Sequence, residues 1–544
     1  MFAAALRQLP VLPATILIGL ACLAPACTRR ETPAAEGVRT RTLLLGNNAE
    51  PADLDPHAVD AYTDLNILTT LFEGLTILDE KTSQGLPGVA ERWEISEDGL
   101  VATFHLRAAA KWSNGDPLTA ADFVFSFQRI LTPALGAPYS YMLWVIRNAE
   151  AFNKGQLADF SAVGVEAVDA RTLRLRLAHP VPYLAALAAH GTWLPVHRAT
   201  LEKFGAVARR GTAWTRPGNL VGNGPFALAA WQPHARIVVA KNPHYWDAAR
   251  TRLERIVFLP TEKSDVEERN YRAGQVHLTF GVPAAKIPVY REKSPTQLRL
   301  DPLLQTWYLN FNVAQPPLDQ PKVRRALALA IDRAAIGRTI YHGAQAAAHS
   351  FTPPDCGAYQ PRARIDTDAA TARRLLAEAG FPGGAGLPVF PVEVLNDSHL
   401  PRVLEAIQAM WQRDLGVRCA IEPFEQKTWL QNQQSKRHTI GVMGWVADFA
   451  DPLTFLGLFV SGGGNNWTNW SDPEYDRLLA QAGQTADVAA RLELFQQAEA
   501  RLLELAPITP LVFGARAYLI HPAVRGWEPA PLGFHRFQNV ALQE

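Results

Sequence analysis

The chain has 544 residues, with 53 Lys plus Arg against 52 Asp plus Glu and a formal charge of +1. That balance, with no basic run, excludes the electrostatic footprint of a nucleic-acid binder, and 48% hydrophobic against 19% charged residues excludes a disordered chain. Four Cys are too few for a disulfide scaffold, and about 150 residues per domain predicts about three compact units.

At the start, Arg7 precedes an apolar stretch from Val11 to Ala24. The stretch is interrupted by Pro13 and falls short of the roughly 20 residues a membrane span needs, so it reads as a secretory signal over residues 1–27. Leu23-Ala24-Pro25-Ala26-Cys27 resembles a bacterial lipobox with its Leu one place early, which makes Cys27 the expected lipidation site; Gly19-Leu20-Ala21-Cys22 is a weaker rival. An ordinary cleaved signal is the alternative. Residues 28–42, rich in Arg, Thr, Ala and Glu, read as a flexible linker. No later apolar run is long enough to cross a bilayer.

Further along, Val101 to Leu106 and the strictly alternating Thr172 to Leu177 read as half-buried strands. Between them, Lys111-Trp112-Ser113-Asn114-Gly115-Asp116-Pro117 is a turn, and Thr119 with Asp122 forms a capping box that opens a helix to about Leu131. Arg236 to Ala240 and Arg255 to Leu259 are strand candidates. Pro321 stands at a helix start, and helical spacing then runs from Val323 to Tyr341. Helices over Ala369 to Ala379 and Leu404 to Leu415 end at Gly380 and Gly416; the second leads into a strand from Val417 to Ile421, the order of an α/β unit. A last helix covers Ala489 to Leu505. Cys356 and Cys419 either pair or remain unrelated thiols.

Enzyme templates find no match: there is no G-x-S-x-G, H-E-x-x-H, C-x-x-C or Gly-x4-Gly-Lys, and the 14 His lack metal-ligand spacing. No catalytic residue, metal site or cofactor is therefore expected. Gly222-Asn223-Gly224-Pro225 imitates a dinucleotide fingerprint, but Pro225 removes a donor from the phosphate cradle. Gly462-Gly463-Gly464 reads as a flexible turn. One constellation stands apart. Met443-Gly444-Trp445-Val446-Ala447-Asp448-Phe449-Ala450-Asp451-Pro452 sets a carboxylate, Asp448, inside an apolar aromatic run, with Gly444 permitting a close backbone approach. An ionised carboxylate there loses hydration at a cost of several kcal/mol unless a cation compensates it. Either an Arg or Lys of the chain supplies that cation or a ligand does; spacing alone leaves both open, with the first the commoner arrangement.

Several motifs follow one another in order: Gly88-Val89-Ala90-Glu91-Arg92-Trp93, Phe104-His105-Leu106-Arg107, Lys111 to Gly115, Leu118 to Asp122, Lys241-Asn242-Pro243-His244-Tyr245-Trp246, Val323 to Leu327, Leu375 to Phe381 and Asn465-Asn466. Together they resemble the oligopeptide-binding proteins, the extracytoplasmic family 5 solute-binding components of peptide ABC importers. The resemblance covers residue 43 to the C-terminus. It implies an α/β chain with the two-lobed periplasmic-binding-protein fold, type II, in its three-domain variant. Its expected bounds are domain I at 43–73, 197–300 and 506–544, domain II at 74–196, and domain III at 301–505.

Function follows from the same resemblance: a monomeric periplasmic or cell-envelope receptor encloses a peptide by hinge closure and delivers it to a permease and ATPase complex. No enzymatic activity is expected, and the lipobox-like segment predicts a lipid anchor to a membrane. Asp448 is implied as the partner of the peptide α-ammonium, and Gly444, Trp445 and Val446 as main-chain partners along one side. Asp60, Ala61 and Tyr62 flank the peptide's other edge, and Tyr139 lies near its amino end. Two departures touch the expected pocket: Val442 stands where relatives carry an arginine, and Phe280-Gly281 replaces a tyrosine-asparagine pair. They imply a ligand whose far end is apolar, modified or unread. Alternatives on the same fold are receptors for a metal complex, haem, murein peptide or oligosaccharide, and a chaperone-like binder; a hydrolase is disfavoured by the missing nucleophile and zinc patterns.

Overall fold

The computed structural model describes residues 31–59, 61–396 and 399–543. Cys22, Cys27 and Asp60, named above, lie outside them. Strands of the three main sheets are, in chain order, β1 (Thr42–Gly46), β2 (Ala90–Ile95), β3 (Val101–Leu106), β4 (Val165–Asp169) and β5 (Thr172–Arg176). They continue as β6 (Phe226–Gln232), β7 (Arg236–Lys241), β8 (Arg255–Leu259), β9 (Leu298–Phe311), β10 (Phe390–Leu395), β11 (Cys419–Phe424), β12 (Ile440–Val446) and β13 (Ile508–Leu519). The orders are β1-β8-β7-β6, β2-β3-β5-β4 and β11-β10-β12-β9-β13. The first two sheets and the third build the two lobes of an α/β body.

Each sheet has its own apolar core. Leu43, Leu45, Ile237, Val239, Ile256 and Phe258 fill the first. Phe104, Leu173 and Leu175 meet Phe123 and Phe127 of the following helix in the second. Val392, Val394 and Val442 pack against Ile407 and Trp411 in the third. Two strands cross between lobes: β9 has 14 residues and β13 has 12, and at about 3.3 Å per residue β9 alone spans about 45 Å. Their antiparallel ladder is interrupted between Pro302 and Thr306, beside the cavity described below.

Where the sequence marks a boundary chemically, the structure follows it. Helix α3 (Ala120–Leu131) has its capping box: Thr119 N donates to Asp122 at 2.8 Å. Helices α6 (Ala369–Glu378) and α7 (Leu400–Leu415) are followed by Gly380 at φ +95° and Gly416 at φ +67°, which only glycine adopts freely. The strand after α7 runs parallel to β10, completing the α/β unit.

Three expectations need correction. The linker is not flexible throughout: residues 33–40 form helix α1 (Pro33–Thr40), capped by Thr32. Small residues let α1 seat closely, with Ala34 buried and a Cβ on Gly37 placed 2.5 Å from the Thr42 carbonyl. The spacing from Val323 to Tyr341 is not one helix but α4 (Pro321–Leu329) and α5 (Arg333–Thr339). Asp332 caps α5 through the Ala335 amide, and the buried Arg333 guanidinium takes the carbonyls of Ala328, Ile331 and Pro510. A local side-chain cap outcompetes continuation of the helix. Finally, the helix expected to run to about Leu131 is not the first after residue 43: α2 (Tyr62–Leu71), absent from the expected elements, precedes it.

Cys356 and Cys419 are separate buried thiols in two different cores. Gly222 and Gly224 serve packing: a Cβ on either would lie 2.1 or 2.6 Å from the Leu71 main chain, and Asn223 exchanges two hydrogen bonds with the main chain of Glu73. Residues 462–464 form a turn, as expected, with Gly462 at φ +71°. No helix among the described residues is long and apolar enough to cross a membrane.

Candidate functional site

A cavity of about 560 Å³ lies between the lobes, a size suited to a small organic ligand. One wall comes from Pro56, Val59 and Tyr62, with Tyr139, His190 and Phe280; the facing wall comes from Leu303, Gln305 and the run Trp445 to Asp448. Residues 515–517 and 532–534 close the remaining side. A smaller pocket of about 80 Å³ adjoins it, and Asp448, His190, Leu65 and Phe534 border both spaces.

Asp448 is positioned by its own loop. The main chain leaves β12 at Val446, the Asp448 amide donates to Thr454 Oγ1 at 3.1 Å, and the same oxygen receives the Trp445 indole N–H at 3.4 Å. Its carboxylate has no ion-pair partner among the described residues. Burial alone pushes its pKa up from 3.8 to about 7, because removing a carboxylate from water disfavours the charged form. His190 supplies no countercharge: burial lowers it to about 4, so the ring is neutral, and its Nδ1 lies 2.9 Å from Thr192 Oγ1. Tyr139 stacks on Tyr141 at 5.5 Å and tilts against His190 at 6.0 Å, so it is both core aromatic and cavity wall.

The loop is also anchored across the lobes. Phe449 stacks face to face on Tyr183 at 4.5 Å and 3°, inside the core of the second sheet. Arg491 holds Asp451 through two hydrogen bonds of 2.6 and 2.8 Å. Asp448 thus stands on a strut that reaches both lobes.

The edge of β12 offers main-chain groups. Its ladder to β9 runs from Ile440 to Val446, whereas that to β10 covers only Ile440 and Gly441. On the β10 side no strand among the described residues is registered against Gly444 to Val446. Gly444 is required for a different approach than expected: a Cβ there would lie 2.8 Å from the Trp307 ring, so an indole, rather than a backbone, crosses it.

Two expected site residues are placed otherwise. Val442 does not line the cavity; it is fully buried in the third core, since alternation along β12 turns it away from the face that bears Trp445. Tyr62 is not an extended edge but the first residue of α2, after extended Ala61, and it brings its ring to the cavity. That ring stacks on Phe534 at 5.3 Å and meets Phe280 edge-on at 5.8 Å; the hydroxyl binds the Gly533 carbonyl. Sequence reasoning missed His190, Gln305, Arg516 and Phe534, which arrive from separate segments with no shared spacing. Among the described residues no group of three metal-ligating side chains occurs.

Residues 86–467 match the family described as bacterial extracellular solute-binding proteins, family 5 Middle. The periplasmic oligopeptide-binding protein OppA of Salmonella typhimurium is 34% identical over 518 residues, which is 93% of each chain. Among solved structures, the Escherichia coli murein tripeptide binding protein MppA gives a TM-score of 0.79 at 32% identity, over 92% of this chain and 98% of that one. Haemophilus influenzae OppA in complex with RPPGFSPFR gives 0.78 at 30% identity, over 92% and 99%. The chain belongs to the family 5 extracellular solute-binding proteins, with their two-lobed fold.

Proposed function

We propose that the protein is an extracytoplasmic receptor that encloses a peptide between its lobes and hands it to an ABC importer, without covalent chemistry. The observation that carries this reading is the Asp448 carboxylate, desolvated at a cavity wall with no ion-pair partner among the described residues. An unblocked peptide brings an ammonium group of pKa about 8, which restores the missing charge. The unladdered side of Gly444, Trp445 and Val446 supports main-chain pairing, the mode that tolerates any side-chain sequence. Ala61, together with Asp60, is the proposed opposite edge. Tyr139, Phe280 and Tyr62 wall the pocket.

The three cores fit a division into 43–73, 197–300 and 506–544, then 74–196, then 301–505. The interrupted β9–β13 ladder beside the cavity is the proposed hinge, since loss of ladder bonds leaves a place for φ/ψ change. Relatives named as periplasmic binding proteins favour a periplasmic location and a binding rather than an enzymatic role. Signal processing before Cys27 with lipid attachment, and action as a monomer, complete the reading. Calorimetry with unblocked and N-acetylated forms of one peptide tests it: the free amine is expected to bind and the acetylated form to bind far more weakly. Equal affinity for both would overturn the anchor.

A further inference from the structure

The cavity contains a second charge that the anchor leaves unused. Arg516 lies on β13 between Ala515 and Ala517, and all three border the cavity that Asp448 borders. Directly opposite in the β9–β13 register is Asp301, the carboxylate an arginine would ordinarily take across a ladder. No ion pair joins them among the described residues. Asp301 instead accepts the Tyr518 hydroxyl, and Arg516 Nε donates to the Phe280 carbonyl at 3.0 Å while Nη1 donates to the Tyr62 hydroxyl at 3.2 Å. The guanidinium carbon lies 4.5 Å from the Phe280 ring centre. Glu267, the other carboxylate close enough to sense this charge, accepts the Gly281 amide at 3.1 Å.

Nη2 has no hydrogen-bond partner among the described residues. A guanidinium packed against the rings of Phe280 and Tyr518, with two donors spent on neutral oxygens and Nη2 unclaimed among the described residues, suits a planar anion, because its fork matches carboxylate geometry and loses little freedom on binding. We propose that Arg516 receives a carboxylate of the bound ligand, so that the site selects molecules carrying an ammonium and a carboxylate together. This rests on the peptide-receptor reading, and it replaces the expectation of an unread far end: the arginine absent at Val442 has a counterpart from another strand. The carboxylate is either the α-carboxylate of a short peptide or an acidic side chain.

A competition experiment separates the outcomes. Wild-type protein, Arg516→Gln and Arg516→Lys are each incubated with a mixed tetrapeptide library made in free-acid and C-terminal amide forms, with Glu-containing and Gln-containing members, and bound peptides are read by mass spectrometry. Wild type is expected to enrich carboxylate-bearing peptides about tenfold over their neutral counterparts, the scale of one charge-assisted bidentate contact. Arg516→Gln should erase that enrichment while retaining the neutral peptides, and Arg516→Lys should restore part of it. Enrichment of free acids over amides identifies the α-carboxylate; enrichment of Glu over Gln identifies a side chain. Peptide capture without any carboxylate preference in wild type overturns the assignment while leaving the receptor reading intact. Equal loss of all peptides in Arg516→Gln also overturns it, since the residue would then only brace Tyr62 and Phe280. Failure of every peptide to bind wild type overturns both readings.

Discussion

Asp448 and Asp451 stand in the same short loop after β12, yet Asp451 receives two nitrogens of Arg491 at 2.6 and 2.8 Å whereas Asp448 has only the cavity before it. Both carboxylates are withdrawn from water. For Asp451 the chain supplies the cation, and the pair fixes the loop against the helix α8 (Val488–Leu505) that bears Arg491. For Asp448 no such partner occurs among the described residues, and burial raises its pKa to about 7. The comparison separates a charge used for structure from a charge kept for a guest. The structural pair makes the other possible, because a rigid loop holds Asp448 at the cavity wall.

The contrast is broken most severely at the paired member. Arg491→Met leaves Asp451 buried without its cation and is expected to cost about 3–5 kcal/mol of stability in urea unfolding; a loss under 1 kcal/mol would mean that Asp451 reaches water. For binding, Asp448→Ala should weaken unblocked peptides by about 100-fold in calorimetry, because the bound ammonium then lies buried without a partner, with N-acetylated peptides unaffected. A uniform change across both ligand forms would assign the loss to cavity shape.

The unliganded protein should respond in the opposite sense to a neutral isostere at position 448. A folded pKa of about 7 against 3.8 unfolded means that the folded state binds the proton more tightly. Stability contributed by this group is therefore full below about pH 4, declines as pH rises towards 7, and is flat above that. Asp448→Asn should raise unliganded stability by about 4 kcal/mol at pH 8, the full difference between 3.8 and about 7, and leave it unchanged near pH 4. Peptide affinity in wild type should climb between pH 5 and 7 as the carboxylate ionises, then fall above about pH 8 as the ligand amine deprotonates. A flat profile would show that the two groups do not meet. The smallest effect is expected at Gly444, where Gly444→Ala forces the Trp307 ring aside at a cost of about 1 kcal/mol in thermal unfolding.

Much of the local architecture was readable because it is encoded within a few residues. The capping box at Thr119 and Asp122, the glycines after α6 and α7, and the alternation of Thr172 to Arg176 each act through contacts near in sequence. The joined helix expected from Val323 to Tyr341 failed for two reasons, one local and one not: Asp332 caps the Ala335 amide, and the Arg333 clamp also takes the carbonyl of Pro510, far along the chain. The second, longer-range reason also hid part of the cavity. His190, Phe534 and Arg516 have nothing in common before folding, and the strand face that removes Val442 from the cavity is settled only once β12 lies between β9 and β10.

By itself the sequence determined that a carboxylate would sit among aromatic residues in an α/β chain, since residue type and ordered motifs suffice for that. Whether the carboxylate is claimed by its own chain was decided only in three dimensions. Electrostatic partners are chosen by distances of a few ångströms, and those distances exist only after strands and loops remote in sequence have packed: Arg491 reached Asp451, Arg516 turned from Asp301, and Asp448 was left to the cavity.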